Sequence, residues 1–416
     1  MQRSLVGSEM CIRDSIYILL LDFIGALEFL GSIPLLQGCH YFFLVLGLGA
    51  FIYYLVFKRI STVAVFAGLY CFVFPIYAAF QSQEIFGQSF FMGFASLRYL
   101  WFILLGFFLY NIKYDYSLLL RQINKVNLII AVVSIIAFFV FGVTHLTIQE
   151  YLVTTNIVET VALEDLVKGL KLTVCSSLMI ISYVFYLIRF VKKPAQKENY
   201  LPFFVLMVYL LFVNKGRQPV ALLAVIYAIY YVRMKGISLK RLALGVLPLI
   251  GALVLLSFND KLVDSLIEAT KWEKSSDSST LARVNSVESV MPYIQQNLIL
   301  GFGNLSVHFR DEGFHTFFGG AFYLADIGIW GTLARGGLVL VLIYLGLYYN
   351  LYKKTSLVQD KDIRSYMRYM LLSFLILLVF LNNDTLYAEG CLRVALVFYP
   401  LFGRSDPNVF IKNKFL

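Results

Sequence analysis

Two arginines carry the first chemistry that the sequence suggests, because a guanidinium group presents a planar fork of donors that matches the oxygens of a phosphate. Arg217 lies in the run Asn214-Lys215-Gly216-Arg217 between two apolar stretches, and Arg283 lies in a long polar segment further along the chain. Lys215 would add a point charge beside Arg217. The pattern indicates a clamp for a phosphate-bearing lipid. The alternative is that Arg217 is an interfacial arginine whose head group reaches water.

Arg98 is unusual because it lies inside the apolar stretch of residues 90–112. At about 1.5 Å per helical residue it would be roughly 12 Å from the nearer end of that stretch. An arginine at such a depth costs about 2.5–3.5 kcal/mol on insertion scales, so it must face a polar cavity or a partner. Two interpretations stay open: Arg98 binds substrate in a cavity, or it forms an internal ion pair.

Asp326 and Arg335 lie in another apolar stretch, nine residues apart. An unbroken helix would not place them on one face, although a bend at the nearby glycines would let them pair. His308 and His315 precede this stretch, and a neutral imidazole can deprotonate a sugar hydroxyl at neutral pH. His315 is nearer to Asp326 and is the candidate base, with Asp326 orienting it or a sugar hydroxyl. Simple solvation in the loop is the alternative for both histidines.

Metal and cofactor sites are not predicted. None of the five cysteines forms a C-x-x-C pair or has a histidine at metal-ligand spacing. Asp360-Lys361-Asp362 matches the D-x-D pattern of metal-dependent nucleotide-sugar transferases, but it lies in a short charged connector and is interpreted as a solvated charge run. Gly301-Phe302-Gly303 lacks the third glycine and the preceding strand of a dinucleotide site.

The composition of the chain requires a membrane. Its 416 residues are 60% hydrophobic and 14% charged, whereas a soluble domain averages about 25% charged residues. Such a chain cannot hide its apolar surface in one aqueous globule, so the bilayer must be its solvent. The net charge of +10 lies in short connections rather than on one face, which argues against nucleic acid as a partner.

The apolar stretches predict an all-α, polytopic membrane protein with about twelve transmembrane helices and one large external loop late in the chain. Residues 1–15 are expected to be a non-native leader or a cytosolic tail, 16–258 N-terminal membrane helices, 259–321 the large loop, and 322–416 C-terminal membrane helices and tail. The predicted spans are residues 16–36, 41–57, 62–80, 90–112, 126–143, 172–190, 200–214, 219–232, 242–258, 322–352, 370–387 and 390–403.

Two segments late in the chain carry further structural signals. Residues 322–352 would reach roughly 46 Å as one straight helix, so Gly331, Gly336 and Gly337 predict a break or a re-entrant bend there. In the large loop, serines at 278 and 279 are expected to cap a helix that Pro292 kinks. Its predicted apolar stripe is Leu281, Val284, Val287, Met291 and Ile294. A flexible turn is expected after it, at residues 301–304.

Lys and Arg are concentrated in the connections that lie inside when both termini are cytosolic. The large loop and the turn at residues 215–217 then share the external side, together with every histidine of the chain.

In their order and topology these pieces resemble the O-antigen polymerase/ligase family, whose members are polytopic bacterial inner-membrane proteins with a large periplasmic loop late in the chain. The resemblance covers mainly residues 214–351. It is carried by Lys215-Gly216-Arg217 opening an apolar helix, Arg283 heading the loop helix, the turn Asn297-Leu298-Ile299-Leu300-Gly301-Phe302-Gly303-Asn304, His315, and Asp326-Ile327-Gly328 with Gly336-Gly337-Leu338.

The resemblance implies glycosyl transfer from glycan repeat units on undecaprenyl pyrophosphate, without a nucleotide sugar, a metal or a cofactor. Arg217 and Arg283 would stabilise the departing pyrophosphate as preorganised donors. His315, with Asp326, would activate the acceptor hydroxyl. The substrate-binding candidates are Arg98, Lys215, Gly301, Gly303, Asn304 and Arg335.

The expected function is therefore a polymerase that extends a lipid-linked glycan at the periplasmic face of a bacterial inner membrane. The bilayer and a chain-length regulator protein are the other expected partners. One alternative is a ligase that moves a finished glycan to a lipid A core or a protein. Another is a flippase or other transporter of lipid-linked oligosaccharides, although a transporter should show internal repeats and the sequence shows none.

Overall fold

The computed structural model describes residues 34–144, 176–214, 217–235, 278–306, 309, 324–380 and 387–411. Every regular element in these ranges is a helix, which confirms the all-α prediction for this part of the chain. The helices described are α1 (Pro34–Phe57), α2 (Thr62–Phe86), α3 (Phe90–Ser96), α4 (Arg98–Asn111), α5 (Tyr116–Thr144), α6 (Ser176–Lys192), α7 (Lys197–Val208), α8 (Arg217–Lys235), α9 (Ser278–Gln296), α10 (Ile329–Thr355), α11 (Lys361–Phe380) and α12 (Ala388–Phe398).

Shorter helical segments interrupt or extend these elements. A π-helical turn, Leu69–Val73, lies within α2, and a second, Tyr209–Asn214, continues α7. The first part of α4, Arg98–Leu104, is a 3-10 helix. Further 3-10 segments are Leu324–Ile327 before α10, and Tyr399–Leu401 and Pro407–Phe410 after α12.

Several of these helices are suited to a bilayer. Within the described ranges, Thr62–Phe86, Tyr116–Ile136 and Ile329–Thr355 are long and apolar enough to cross a membrane. A fourth span results if α3 and α4, which are bent by 40° relative to each other, are taken as one. These helices indicate a membrane-associated protein. The predicted spans at 16–36 and 242–258 lie almost wholly outside the described residues.

The C-terminal segment is hydrogen-bonded to other helices at one end of the bundle, which we call the tail end. Lys354, near the end of α10, donates from Nζ to the carbonyl oxygens of Leu401 at 2.9 Å and Gly403 at 2.6 Å. Ser61, just before α2, donates to the carbonyl oxygen of Phe402. The connections α1–α2 and α10–α11 therefore lie together at this end.

Both carboxylates of the D-x-D run, at the start of α11, have partners within the protein. Asp360 accepts from the N–H groups of Asp362 at 2.8 Å and Ile363 at 3.1 Å, as a helix-capping side chain does. Asp362 forms an exposed ion pair with Lys192 at 2.6 Å. These partners agree with the interpretation of this run as a charged connector, and they place the end of α6 at the tail end.

The opposite end of the bundle, named here the loop end, holds the connection α2–α3, the chain after α9 and the start of α10. Because α7 starts at the tail end and its π-helical continuation ends at Asn214, Asn214 and the start of α8 also lie at the loop end. Asn214 and the turn that follows α9 are thus at one end of the bundle.

Pro75 explains the irregular turn in α2. Proline has no N–H, so the carbonyl oxygen of Cys71 loses its helical partner. The indole N–H of Trp101, on α4, donates to that oxygen at 3.0 Å. A neighbouring helix thereby satisfies a backbone group that water cannot reach inside a bilayer.

The predicted break in the long helix is confirmed. Within α10, Gly337 has φ 59° and ψ −160°, a combination that is essentially restricted to glycine. The break divides α10 into a short first part at the loop end and a longer second part that reaches the tail end.

Candidate functional site

The turn after α9 fills the break in α10. In an unbroken helix the N–H of Leu338 would donate to the carbonyl of Ala334. Instead, Leu338 donates to the carbonyl of Leu298 at 2.9 Å, and the carbonyl of Ala334 accepts from the N–H of Phe302 at 2.7 Å. The loop therefore supplies both partners that the break removes.

The next pair of helical partners is exchanged in the same way. Val339 donates to the carbonyl of Ile299 at 3.1 Å, and the carbonyl of Arg335 accepts from the N–H of Gly303 at 3.1 Å. Non-helical backbone at membrane depth is tolerated only where protein satisfies its polar groups, and this pairing meets that requirement.

Gly301 and Gly303 are needed for this fit. Both have positive φ, 69° and 87°. A Cβ atom at Gly301 would lie 2.7 Å from the carbonyl oxygen of Ala334, and one at Gly303 would collide with the carbonyl oxygen of Ala78 on α2. The expectation of a flexible turn is therefore wrong, because these glycines are buried and fixed against two helices. Substrate contact by Gly301 and Gly303 stays a prediction.

Gln88, between α2 and α3, holds the far end of this turn. Its side chain is 1% exposed. Nε2 donates to the carbonyl of Asn304 at 2.9 Å, and Oε1 accepts from the N–H of Ser306 at 2.7 Å. The side chain of Asn304, a predicted substrate-binding residue, donates to Oγ of Ser96 at 2.7 Å. No sequence pattern distinguishes Gln88, which lies between the glycine that ends α2 and Ser89.

Arg335 is buried at the loop end, directly before the two glycines of the break. It is 7% exposed. Nη2 lies 3.4 Å from the hydroxyl of Tyr387, and the guanidinium carbon is 5.6 Å from the centre of that ring. Among the described residues, no group accepts a hydrogen bond from Nε of Arg335, although that atom is buried. A buried guanidinium with an unused donor is suited to an anionic ligand.

Arg283 lies near the start of α9, in the large loop. Its side chain is partly buried, and its Nε has no hydrogen-bond partner in the described part of the chain. Like Arg335, it therefore has a buried N–H donor that no described group accepts.

The loop helix α9 packs on the first part of α10. Of its predicted stripe, Ile294 is buried in this contact and Val287 is partly buried, while Val290 adds a buried position that was not predicted. The helix continues through Pro292 to Gln296. The partners of this face are Phe86, Phe302, Leu305, Phe309, Leu324, Ile327 and Ala334.

Asn214 ends the π-helical turn beside the predicted basic run. Its side chain is 4% exposed, and Nδ2 has no hydrogen-bond partner within the described residues. Arg217 begins α8, but its side chain lies outside the described part, as does the whole of Lys215. Their roles stay predictions.

Arg98 lies at the bend between α3 and α4. Nη1 donates to the carbonyl of Ala95 at 2.9 Å and Nη2 to the hydroxyl of Tyr99 at 2.7 Å. The guanidinium lies 4.4 Å from the ring centre of Tyr99 and 5.9 Å from that of Tyr41. No carboxylate among the described residues is at ion-pair distance, and Nε is buried without a described partner.

The predicted acid–base pair cannot be placed within this geometry. His315, like His308, lies outside the described residues. The backbone of Asp326 belongs to the 3-10 segment Leu324–Ile327, which packs against the start of α10, but its side chain is outside the described part.

Arg393 is a buried arginine that sequence reasoning missed. It lies in α12 and is buried. Nε donates to the carbonyl of Glu389 at 3.4 Å, and the guanidinium lies 6.0 Å from the ring centre of Phe374. The argument applied to Arg98, a charge inside an apolar stretch, would have identified it.

No protein-family model matches this chain, and no curated protein matches it.

Proposed function

We propose that this chain polymerises glycan repeat units carried on undecaprenyl pyrophosphate, at the outer face of a bacterial inner membrane. The architecture proposed with it has about twelve spans, both termini in the cytosol, and residues 259–321 outside. The bilayer and a chain-length regulator protein are the proposed partners besides the lipid-linked glycan.

Four buried N–H donors in the described helices support this proposal. Each lacks a hydrogen-bond partner among the described residues: Nε of Arg98, Nε of Arg283, Nε of Arg335 and Nδ2 of Asn214. A buried donor without a partner costs about 1–3 kcal/mol. A diphosphate would supply several charged acceptor oxygens to such donors and would neutralise the guanidinium charge.

In the proposed reaction the hydroxyl of an acceptor glycan attacks the anomeric carbon of the lipid-linked glycan. The new glycosidic C–O bond forms as the C–O bond to pyrophosphate breaks, and the electron pair of that bond leaves with the pyrophosphate. His315, helped by Asp326, takes the hydroxyl proton. Arg217 and Arg283 stabilise the departing charge, and removing one such donor typically costs about 10²–10³ in rate.

The other candidate groups are proposed to hold the substrate. They are Arg98, Lys215, Gly301, Gly303, Asn304 and Arg335. Because pyrophosphate is already a good leaving group, this reaction needs no metal ion.

The test in cells replaces Arg283 or Arg335 by alanine in the native host, followed by gel analysis of the surface glycan. Long chains should collapse to single repeats while the variant protein remains in the membrane. Arg59→Ala is the control, because Arg59 is exposed in the α1–α2 connection at the tail end. Normal chain lengths in both loop-end variants would contradict the proposal.

A further inference from the structure

The turn after α9 presents three consecutive apolar side chains to the surroundings. Leu298, Ile299 and Leu300 are all exposed, Ile299 by 65%. Such a run is unusual on a loop in water, where adjacent exposed apolar residues promote association. The sequence around it is also uncharged, since no Asp, Glu, Lys or Arg occurs between Glu288 and Arg310.

This apolar turn is continuous with the exposed face of α10. Leu338, Leu342, Leu345 and Tyr349 are exposed at helical spacing after the break, so they form one stripe along a helix suited to a bilayer. The hydrogen bond from Leu338 to Leu298 places the turn beside the part of that stripe that is nearest the loop end.

The length of α10 sets the depth of the turn. Lys353 is exposed near the tail-end terminus of α10, where a lysine head group reaches the membrane surface. The 15 residues from Leu338 to Lys353 rise roughly 23 Å at about 1.5 Å each. A hydrocarbon core of about 30 Å then extends roughly 7 Å beyond Leu338.

Several polar groups of the turn's backbone are paired within the protein. The carbonyls of Leu298 and Ile299 accept from α10, and the N–H groups of Gly301, Phe302 and Gly303 all donate to carbonyls. These five bonds reduce the number of backbone groups that need water at this depth.

We propose that residues 297–303 are a re-entrant tip of the large loop, inserted into the leaflet at the loop end, with Leu298, Ile299 and Leu300 in contact with lipid hydrocarbon. The position of this tip does not depend on the proposed polymerase activity. The tip would hold the buried arginine that precedes the break, Arg335, just below the head groups, where the charged group of a lipid can reach it.

The test measures depth directly. Ile299→Cys and Leu300→Cys proteins are labelled with bimane and reconstituted into phosphatidylcholine–phosphatidylglycerol vesicles. Fluorescence is then quenched either by iodide from water or by a nitroxide on the lipid chains. Glu288→Cys, an exposed position on α9, is the aqueous control, and Leu342→Cys is the hydrocarbon control. Labelling of the parent protein corrects for native cysteines, of which Cys71 and Cys391 are buried.

Labels at 299 and 300 should be quenched by the lipid nitroxide several times more strongly than the label at 288, and by iodide several times more weakly. Quenching by iodide at the level of residue 288 would overturn the proposal. So would weak quenching by both agents, because it would mean that a second copy of the chain covers the turn. Two neighbouring exposed positions are used so that a folding defect in one variant leaves the other to decide.

Discussion

The N–H of Leu338 and the carbonyl of Ala334, helical partners in an unbroken α10, are both hydrogen-bonded to the loop instead. The N–H of Leu338 donates to Leu298, and the carbonyl of Ala334 accepts from Phe302. The loop and the membrane helix therefore form one structural unit. Displacing the turn would expose four backbone groups at membrane depth, so the position of Arg335 depends on the position of the loop.

Gly337→Ala should destabilise the protein. Its backbone conformation costs a non-glycine residue of order 1–3 kcal/mol, and the added Cβ would collide with the carbonyl of Ile299. The measurement is the apparent Tm of the purified protein in detergent. Gly49→Ala is the matched control, because a Cβ there meets no atom within 4 Å. Equal Tm values for the two variants would show that the break is not a fixed feature.

Gln88→Ala should loosen the turn without removing any predicted substrate contact. It leaves the carbonyl of Asn304 and the N–H of Ser306 without their partners, and an unsatisfied buried group costs about 1–3 kcal/mol. Hydrogen exchange of residues 301–306 should become faster. Gln83→Ala, an exposed glutamine on α2, should leave exchange there unchanged. Unchanged protection in the Gln88 variant would be evidence that Gln88 does not fix the turn.

Arg335→Ala should remove the stabilisation that a diphosphate lipid provides. A ligand that binds only the folded protein raises its Tm, and undecaprenyl pyrophosphate should do so in the unmodified chain. Arg335→Lys should restore little of the shift, because an ammonium group cannot bind an anion through two parallel hydrogen bonds. Undecaprenol, which lacks phosphate, is the control lipid. If it gives the same shift, or if Arg335→Ala keeps the full shift, the anion site is wrongly placed.

Chelation of metal ions should not affect glycan extension. Asp360 and Asp362 are occupied by helix capping and by Lys192, and a pyrophosphate leaving group needs no Lewis acid to depart. EDTA should leave the extension rate unchanged, and Asp360→Asn should behave like the parent protein because the amide oxygen can still cap α11. Loss of activity that is restored by added Mn²⁺ or Mg²⁺ would contradict this mechanism.

Local features of the fold were predictable from the sequence. The break in α10 follows from a helix too long for one straight crossing and from the pair Gly336-Gly337. The loop helix α9 follows from its apolar spacing. The bend between α3 and α4 was not predicted, because neither Leu97 nor its neighbours Ser96 and Arg98 are glycine or proline.

The assembled site was less accessible to sequence reasoning. The turn around Gly301 and Gly303 carries a local signal for unusual backbone, but its partners lie about 30 residues further along the chain and in the first helices, and such pairing leaves no local pattern. Gln88 has no signal at all. In the sequence Asn214 is only the first residue of a basic run, although its buried amide is among the donors that are suited to an anionic ligand.

The most direct test of the polymerase proposal uses the purified protein in vesicles with undecaprenyl pyrophosphate-linked repeat units from its native host. The proposal predicts glycans of many repeats, with one undecaprenyl pyrophosphate released for each linkage formed, and a rate that falls about 10²–10³-fold in Arg283→Ala. Folded protein that forms no linkage and releases no undecaprenyl pyrophosphate from these donors would contradict it.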